Sequence, residues 1–164
     1  MGADPLEANQ RGDWMTRRHE TLIPLTHDHH HALAQARRLQ ETAGLTDENE
    51  RRNETNDFIN FYFGRAVRHF HEEEELFFAP VVDEPEAKDL VLRAVSDHLR
   101  LHALVRTVKR QLTDGQSDPE LLKQISDLLT EHVRFEEQQL FPLIEKLVPE
   151  EQLQDLAIAG RRDV

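Results

Sequence analysis

His69-Phe70-His71-Glu72-Glu73-Glu74-Glu75-Leu76-Phe77-Phe78 and His132-Val133-Arg134-Phe135-Glu136-Glu137-Gln138-Gln139-Leu140-Phe141 share one pattern. Each carries a histidine, a glutamate four residues later, a second glutamate beside it, and then Leu-Phe. Four residues of α-helix turn through about 400° and rise about 6 Å, so each His–Glu pair leaves one face and can chelate or bridge an ion. Around both stretches, from Pro24 onward, apolar residues recur every three or four positions. No segment shows the period-2 alternation of a strand rich in β-branched residues. The chain is therefore expected to be all-α.

Punctuation residues divide it into four long helices. The first is expected over 24–43, with Gly44 as a left-handed cap and a seam of Leu25, His29, Ala32, Ala36, Leu39 and Ala43. The second runs over 47–80, capped by Thr46 or Asp47, with seam Phe58, Tyr62, Ala66, His69, Glu73 and Leu76. The third runs over 85–113, from Pro85 in the first turn to a stop near Asp114-Gly115, with seam Val91, Val95, His98, His102, Val105 and Leu112. The fourth, over 118–148, opens at Asp118-Pro119 and shows Leu121, Ile125, Leu128, His132, Phe135 or Glu136, Leu143 and Leu147. Short connections make this an up-down-up-down four-helix bundle spanning 21–164. A short C-terminal helix over 149–159, ended by Gly160, is expected across one end. Residues 1–20 read as an irregular N-terminal arm, packed through Trp14.

Asp28-His29 matches Asp97-His98 as His69 and Glu73 match His132 and Glu136, so the chain is an internal repeat of a helical hairpin. The second offset is a few residues shorter, which a tighter loop between the third and fourth helices absorbs.

The 164 residues suit one domain. With 20 Lys+Arg against 32 Asp+Glu, the net charge of −12 opposes binding to a phosphate backbone or an anionic membrane. Cysteine is absent, which removes disulfides, thiolate zinc sites and Cys-ligated clusters, so any metal is held by nitrogen and oxygen. No apolar run approaches a membrane span and the start lacks a signal-peptide core, so a cytoplasmic protein is expected.

The seams place His29, His69, Glu73, His98, His102, His132 and Glu136 on faces that should be apolar. Burying one polar group without a partner costs roughly 2–7 kcal/mol, and seven would overwhelm a domain stable by about 5–15 kcal/mol. Nitrogen and carboxylate donors in a closed bundle suit Fe, Mn, Co or Zn, and two bridging carboxylates argue for two adjacent ions. A dinuclear site follows. His29 is preferred to His27 and His31, whose face continues through Gln35 and Arg38, while His30 is the fallback. His71 faces Glu72 and Glu75 as a solvated residue, and His19 has no evident partner. Glu74 and Glu137 stand roughly 100° off the ligand face, as surface charge or as hydrogen-bond partners of the ligands. Tyr62, on the same seam as His69, is a candidate to hydrogen-bond a bound ligand.

This set, in order, spacing and count, resembles the hemerythrin family, in its bacterial HHE cation-binding branch, over about residues 22 to 148. The resemblance implies two Fe ions with an oxo or hydroxo bridge. One would take His98, His102 and His132, the other His29 and His69, with Glu73 and Glu136 bridging. The second iron would keep an open position for O2. Animal members place an Asp five residues after the last His, so Glu137 is an alternative second bridge.

The leading expectation is a non-haem di-iron protein that binds or senses O2, or another diatomic such as nitric oxide. Its histidine-rich shell favours binding over oxygen activation. The alternatives are a di-iron oxidase, peroxidase or nitric oxide-responsive enzyme, and a structural or iron-storage protein stapled by metal, with Zn or Mn as substitutes. A ferritin-like enzyme is disfavoured because no His has a Glu three residues before it, and His19-Glu20 lacks the second His of a zinc protease motif.

Overall fold

The computed structural model describes residues 18–162, with backbone alone over 158–162. The expected packing of Trp14 and most of the N-terminal arm lie outside the described residues. Helix α1 is Ile23–Ala43. Helix α2 spans 48–81, with α-helical Glu48–Phe61 and Val67–Glu72, π turns at Tyr62–Ala66 and Glu73–Phe78, and a closing 3-10 turn at Ala79–Val81. Helix α3 is Lys88–Thr113. Helix α4 spans 119–147, with α-helical Pro119–Phe135 and Phe141–Leu147 around a π turn at Glu136–Leu140. Helix α5 is Glu150–Arg162. Both α1 and α3 pack on α2 and α4, which closes the four long helices into an up-down-up-down bundle.

Local chemistry sets the ends. The Asp47 carboxylate accepts from the Glu50 N–H at 3.0 Å, and that of Asp118 from the Glu120 N–H at 2.9 Å, each satisfying a donor the helix leaves open. Helix α3 ends in a Schellman motif: Gly115 takes φ 73°, its N–H reaches the Leu112 carbonyl, and the Gln116 N–H reaches that of Gln111. Three ends differ from expectation. Gly44 keeps a right-handed φ of −82° and donates to the Glu41 carbonyl, while the Leu45 N–H donates to that of Thr42, so α1 closes without a left-handed residue. Pro85 lies in the turn before α3, where the Glu84 carbonyl accepts from both Ala87 and Lys88 and delays the helix to Lys88. Helix α5 continues through Gly160.

The seam of α1 is buried as expected, but those of the other helices shift in part. On α3 the buried line is Val91, Ala94, His98, Leu101, Val105 and Val108, while Val95, His102 and Leu112 are half-buried at its edge. On α2 Leu76 gives way to Phe77 and Phe78. On α4 Leu143 and Leu147 give way to Ile144 and Val148. The π turns explain the last two shifts. Bonding to i+5 rather than i+4 accommodates one extra residue, so every later side chain falls one place behind the unbroken period.

Two apolar clusters result. One gathers Ala32, Leu39, Phe58, Tyr62, Val105, Ile125 and Leu129. The other gathers Leu25, Phe77, Phe78, Val91, Phe141, Ile144 and Leu153. Between them each long helix contributes a buried polar belt: His29, His69 with Glu73, His98, and His132 with Glu136.

The shifted register is testable on α4. Ile144→Ala is expected to lower the unfolding free energy by about 2–5 kcal/mol and Leu143→Ala by less than about 1 kcal/mol in urea denaturation. A larger loss at Leu143 would contradict the π turn.

Candidate metal centre

Four imidazoles turn Nε2 toward two carboxylates. His69 Nε2 lies 2.9 Å from Glu73 Oε1. His29 Nε2 lies 3.2 Å from Glu73 Oε1 and 3.1 Å from Glu136 Oε2. His98 Nε2 lies 3.4 Å from Glu73 Oε2 and 3.8 Å from Glu136 Oε1, and His132 Nε2 lies 3.3 Å from Glu136 Oε1. These side chains form two buried groups, His29-His69-Glu73-Glu136 and His98-His132-Glu73-Glu136, with the donor atoms of each within 4.8 Å of one another. Both glutamates belong to both groups, so two ions held there would share them.

The donor set fits metal ions better than it fits itself. His69 Nε2, Glu73 Oε2 and both Glu136 carboxylate oxygens are buried without a hydrogen-bond partner, although each side chain faces the centre. Native interiors leave few such atoms unsatisfied. Burial opposes ionisation of Glu73, yet the His69, His29 and His98 rings outweigh it and hold its carboxyl well below the usual range. Glu136 is lowered too, against burial and the neighbouring Glu73 charge, by His132, His29 and His98. In return, against burial, Glu136, Glu137 and Glu73 hold His29 well above the ordinary imidazole value. Burial likewise opposes the charge on His69 and His98, but the glutamates raise them to about 9 and about 10.

Behind the rings stands a second set of carboxylates. Asp28 on α1 lies 3.4 Å from His69 Nδ1 on α2, and Glu74 on α2 lies 2.7 Å from His98 Nδ1 on α3. Asp97 on α3 lies 3.8 Å from His132 Nδ1 on α4, and Glu137 on α4 lies 2.6 Å from His29 Nδ1 on α1. Each helix thus backs the histidine of the next, around the whole bundle. At His29 and His98 the carboxylate hydrogen-bonds Nδ1, holds that proton and leaves Nε2 as the metal-facing lone pair, whereas Asp28 and Asp97 stand only at ion-pair distance from His69 and His132, whose Nδ1 atoms make no hydrogen bond.

Sequence reasoning put Glu74 and Glu137 off the ligand face. The π turns that open at Glu73 and Glu136 widen the helix there, so Glu137 is 7% exposed and turned inward beside Glu136. Glu136, not Glu137, faces the centre. His29 is the buried member of its histidine cluster, while His27 and His31 are exposed and His30 is half-buried. His71 is exposed beside Glu75, and His19 does find a partner, Glu150, at 3.0 Å.

His102 and Tyr62 are not brought into the centre. Leu101 takes the core-facing position after His98, and the half-buried His102 turns its Nδ1 to the Tyr62 hydroxyl at 2.7 Å. The Phe70 ring stacks on His98 at 4.1 Å and meets His102 edge-on at 5.9 Å. The Tyr62 hydroxyl takes His102 Nδ1, and His102 is not among the side chains of the two buried groups. Arg18 was missed altogether: it is buried, and its guanidinium donates to the Glu137 carboxylate at 2.8 Å and to the Glu137 carbonyl at 2.9 Å. The Asp-His repeat, by contrast, already held the signal for Asp28 and Asp97.

His69→Ala and Glu73→Ala are expected to lose most bound metal, whereas His102→Ala and Tyr62→Phe keep the wild-type metal-to-protein ratio by elemental analysis. Loss of one ion in His102→Ala would put that ring back among the ligands.

The family model described as Hemerythrin HHE cation binding domain matches residues 22–144, a span that holds all six converging side chains. No curated protein and no solved structure matches the chain. Sequence match and buried donor set agree, and the chain belongs to the hemerythrin family of HHE cation-binding domains.

Proposed function

We propose that this chain is a non-haem di-iron protein that binds or senses O2, or a similar diatomic such as nitric oxide, beside its metal pair. The observation that carries this reading is a small cavity against the centre. It is bordered by His29, His69 and His132, walled by Ala32, Ala66, Phe70, Leu129 and Val133, and has about 20 Å³ for the centre of a water-sized molecule. One water needs roughly 10–15 Å³ on the same measure, so the cavity has room for a molecule of water or diatomic size beside the donor atoms, with Asp28, His31 and Arg65 also lining it. Its apolar walls favour a neutral ligand over water.

An iron pair at this site supplies redox electrons and an open coordination position. The residues of the chain do the rest. Glu73 and Glu136 would be shared by both ions, His29 and His69 would hold one and His98 and His132 the other, and Glu137 and Glu74 at Nδ1 orient the His29 and His98 rings. Two imidazoles and two shared carboxylates for each ion would leave room for a further ligand. Among the described residues no helix is long and apolar enough to cross a membrane.

Ferrous protein prepared without oxygen and then exposed to air is expected to develop near-ultraviolet and visible charge-transfer bands that reverse under argon. Irreversible bleaching with peroxide consumption would favour an oxidase or peroxidase. No spectral change would favour a cation that only staples the bundle.

Metal loading is also expected to release protons. Without a cation, His69 and His98 titrate at about 9 and about 10, above the ordinary 6.5, so both rings are protonated at neutral pH. Their pairing with the glutamates stabilises the metal-free fold fully below about pH 6.5 and fades as pH rises through about 9–10. Metal affinity runs the other way and rises with pH over that window, because each Nε2 must lose its proton to bind. His29 is likewise held protonated by its three glutamates, so calorimetry at pH 7 in buffers of different ionisation enthalpy should show about three protons released per chain. Release of none would contradict the protonated centre.

A further inference from the structure

The two ion positions have matching ligands but unequal support. Glu137, behind His29, is held from three sides: Arg18 donates at 2.8 Å, the Thr26 hydroxyl at 2.7 Å, and His29 Nδ1 lies at 2.6 Å. The Arg18 side chain is 3% exposed, reaches Glu145 at 3.3 Å, and lies 5.4 Å over the Phe141 ring. The other face of the same arrangement is His29 itself, stacked on Phe141 at 5.1 Å. Glu74, behind His98, has the same role in the other hairpin, but its side chain is 40% exposed and has no second partner among the described residues.

The repeat shows why. The offset that aligns Asp28-His29 with Asp97-His98 places Val95 opposite Thr26 and Ala87 opposite Arg18. Neither residue has a side-chain donor, so the second half lacks both groups that fix the outer carboxylate. The remaining pair partly offsets this difference. Asp97 is more buried than Asp28, 9% against 37%, yet it stands farther from its histidine, 3.8 Å against 3.4 Å.

We infer that Arg18 and Glu137 are positioning residues that make the His29–His69 position the tighter of the two and the first to load, leaving the His98–His132 position weaker and exchangeable. A ring already locked by its outer partner loses less freedom on binding, and outer partners of this kind are worth about 10–100-fold in metal affinity. The inference rests on the metal pair of the proposed function and is independent of its dioxygen chemistry.

The test is anaerobic titration of the metal-free full chain with Co(II), followed by its ligand-field absorption and by calorimetry. Wild type is expected to fill in two resolved steps. Glu137→Gln and Arg18→Met should weaken the first step about 10–100-fold with the second little changed, and Glu74→Gln should weaken the second step alone. Arg18→Lys should restore most of the loss. Thr26→Val removes one donor without touching a charge, and it should shift the first step in the same direction if the Arg18 variant proves unstable. A single step in wild type, or Glu137→Gln and Glu74→Gln acting on the same step, would overturn the inference while leaving the metal pair intact. Failure to bind any Co(II) would overturn the metal centre together with it.

Discussion

Six buried polar side chains, four imidazoles and two carboxylates, meet at the middle of the bundle. This constraint governs the rest of the molecule. His29, Glu73, His98, His132 and Glu136 are each at most 1% exposed, and His69 is 7% exposed. Apolar side chains in their place would join the two clusters into one core. Instead, charge pairing across the centre compensates the burial, and His69 Nε2, Glu73 Oε2 and both Glu136 oxygens, which remain unpaired, are atoms a pair of cations would take.

The helices are bent to this purpose at defined points. Both central glutamates, Glu73 and Glu136, open a π turn, and so does Tyr62. At Glu136 the wider turn lets two consecutive carboxylates point inward, one to the centre and one behind His29. An unbroken α-helix would have sent the second to solvent. The cost is local, since the weaker bonds of a π turn are confined to the belt, with regular helix on either side.

The bundle itself was legible in the sequence because helical periodicity, Asp47, Asp118 and Gly115 all act locally. So were His29, His69, Glu73, His132 and Glu136, whose four-residue spacing survives up to the point where each π turn begins. What lay beyond that point was not. Leu143 and Leu147 lost their places to Ile144 and Val148 because no residue type announces a π turn. His102 satisfied the spacing from His98 as well as any ligand would, yet Leu101 holds the buried position and His102 is half-buried beside it. Arg18 reaches its partner across more than a hundred residues of chain, a contact that periodicity does not encode. The hemerythrin resemblance supplied the family correctly, while the fifth histidine came from the seam of the third helix and lies at the edge of the buried line.

Anomalous diffraction from crystals of the iron-loaded protein addresses the central claim most directly. The account requires two peaks between the helices, both within bonding distance of Glu73 and Glu136, one beside His29 and His69 and the other beside His98 and His132. A single peak, or none between those carboxylates, would contradict it.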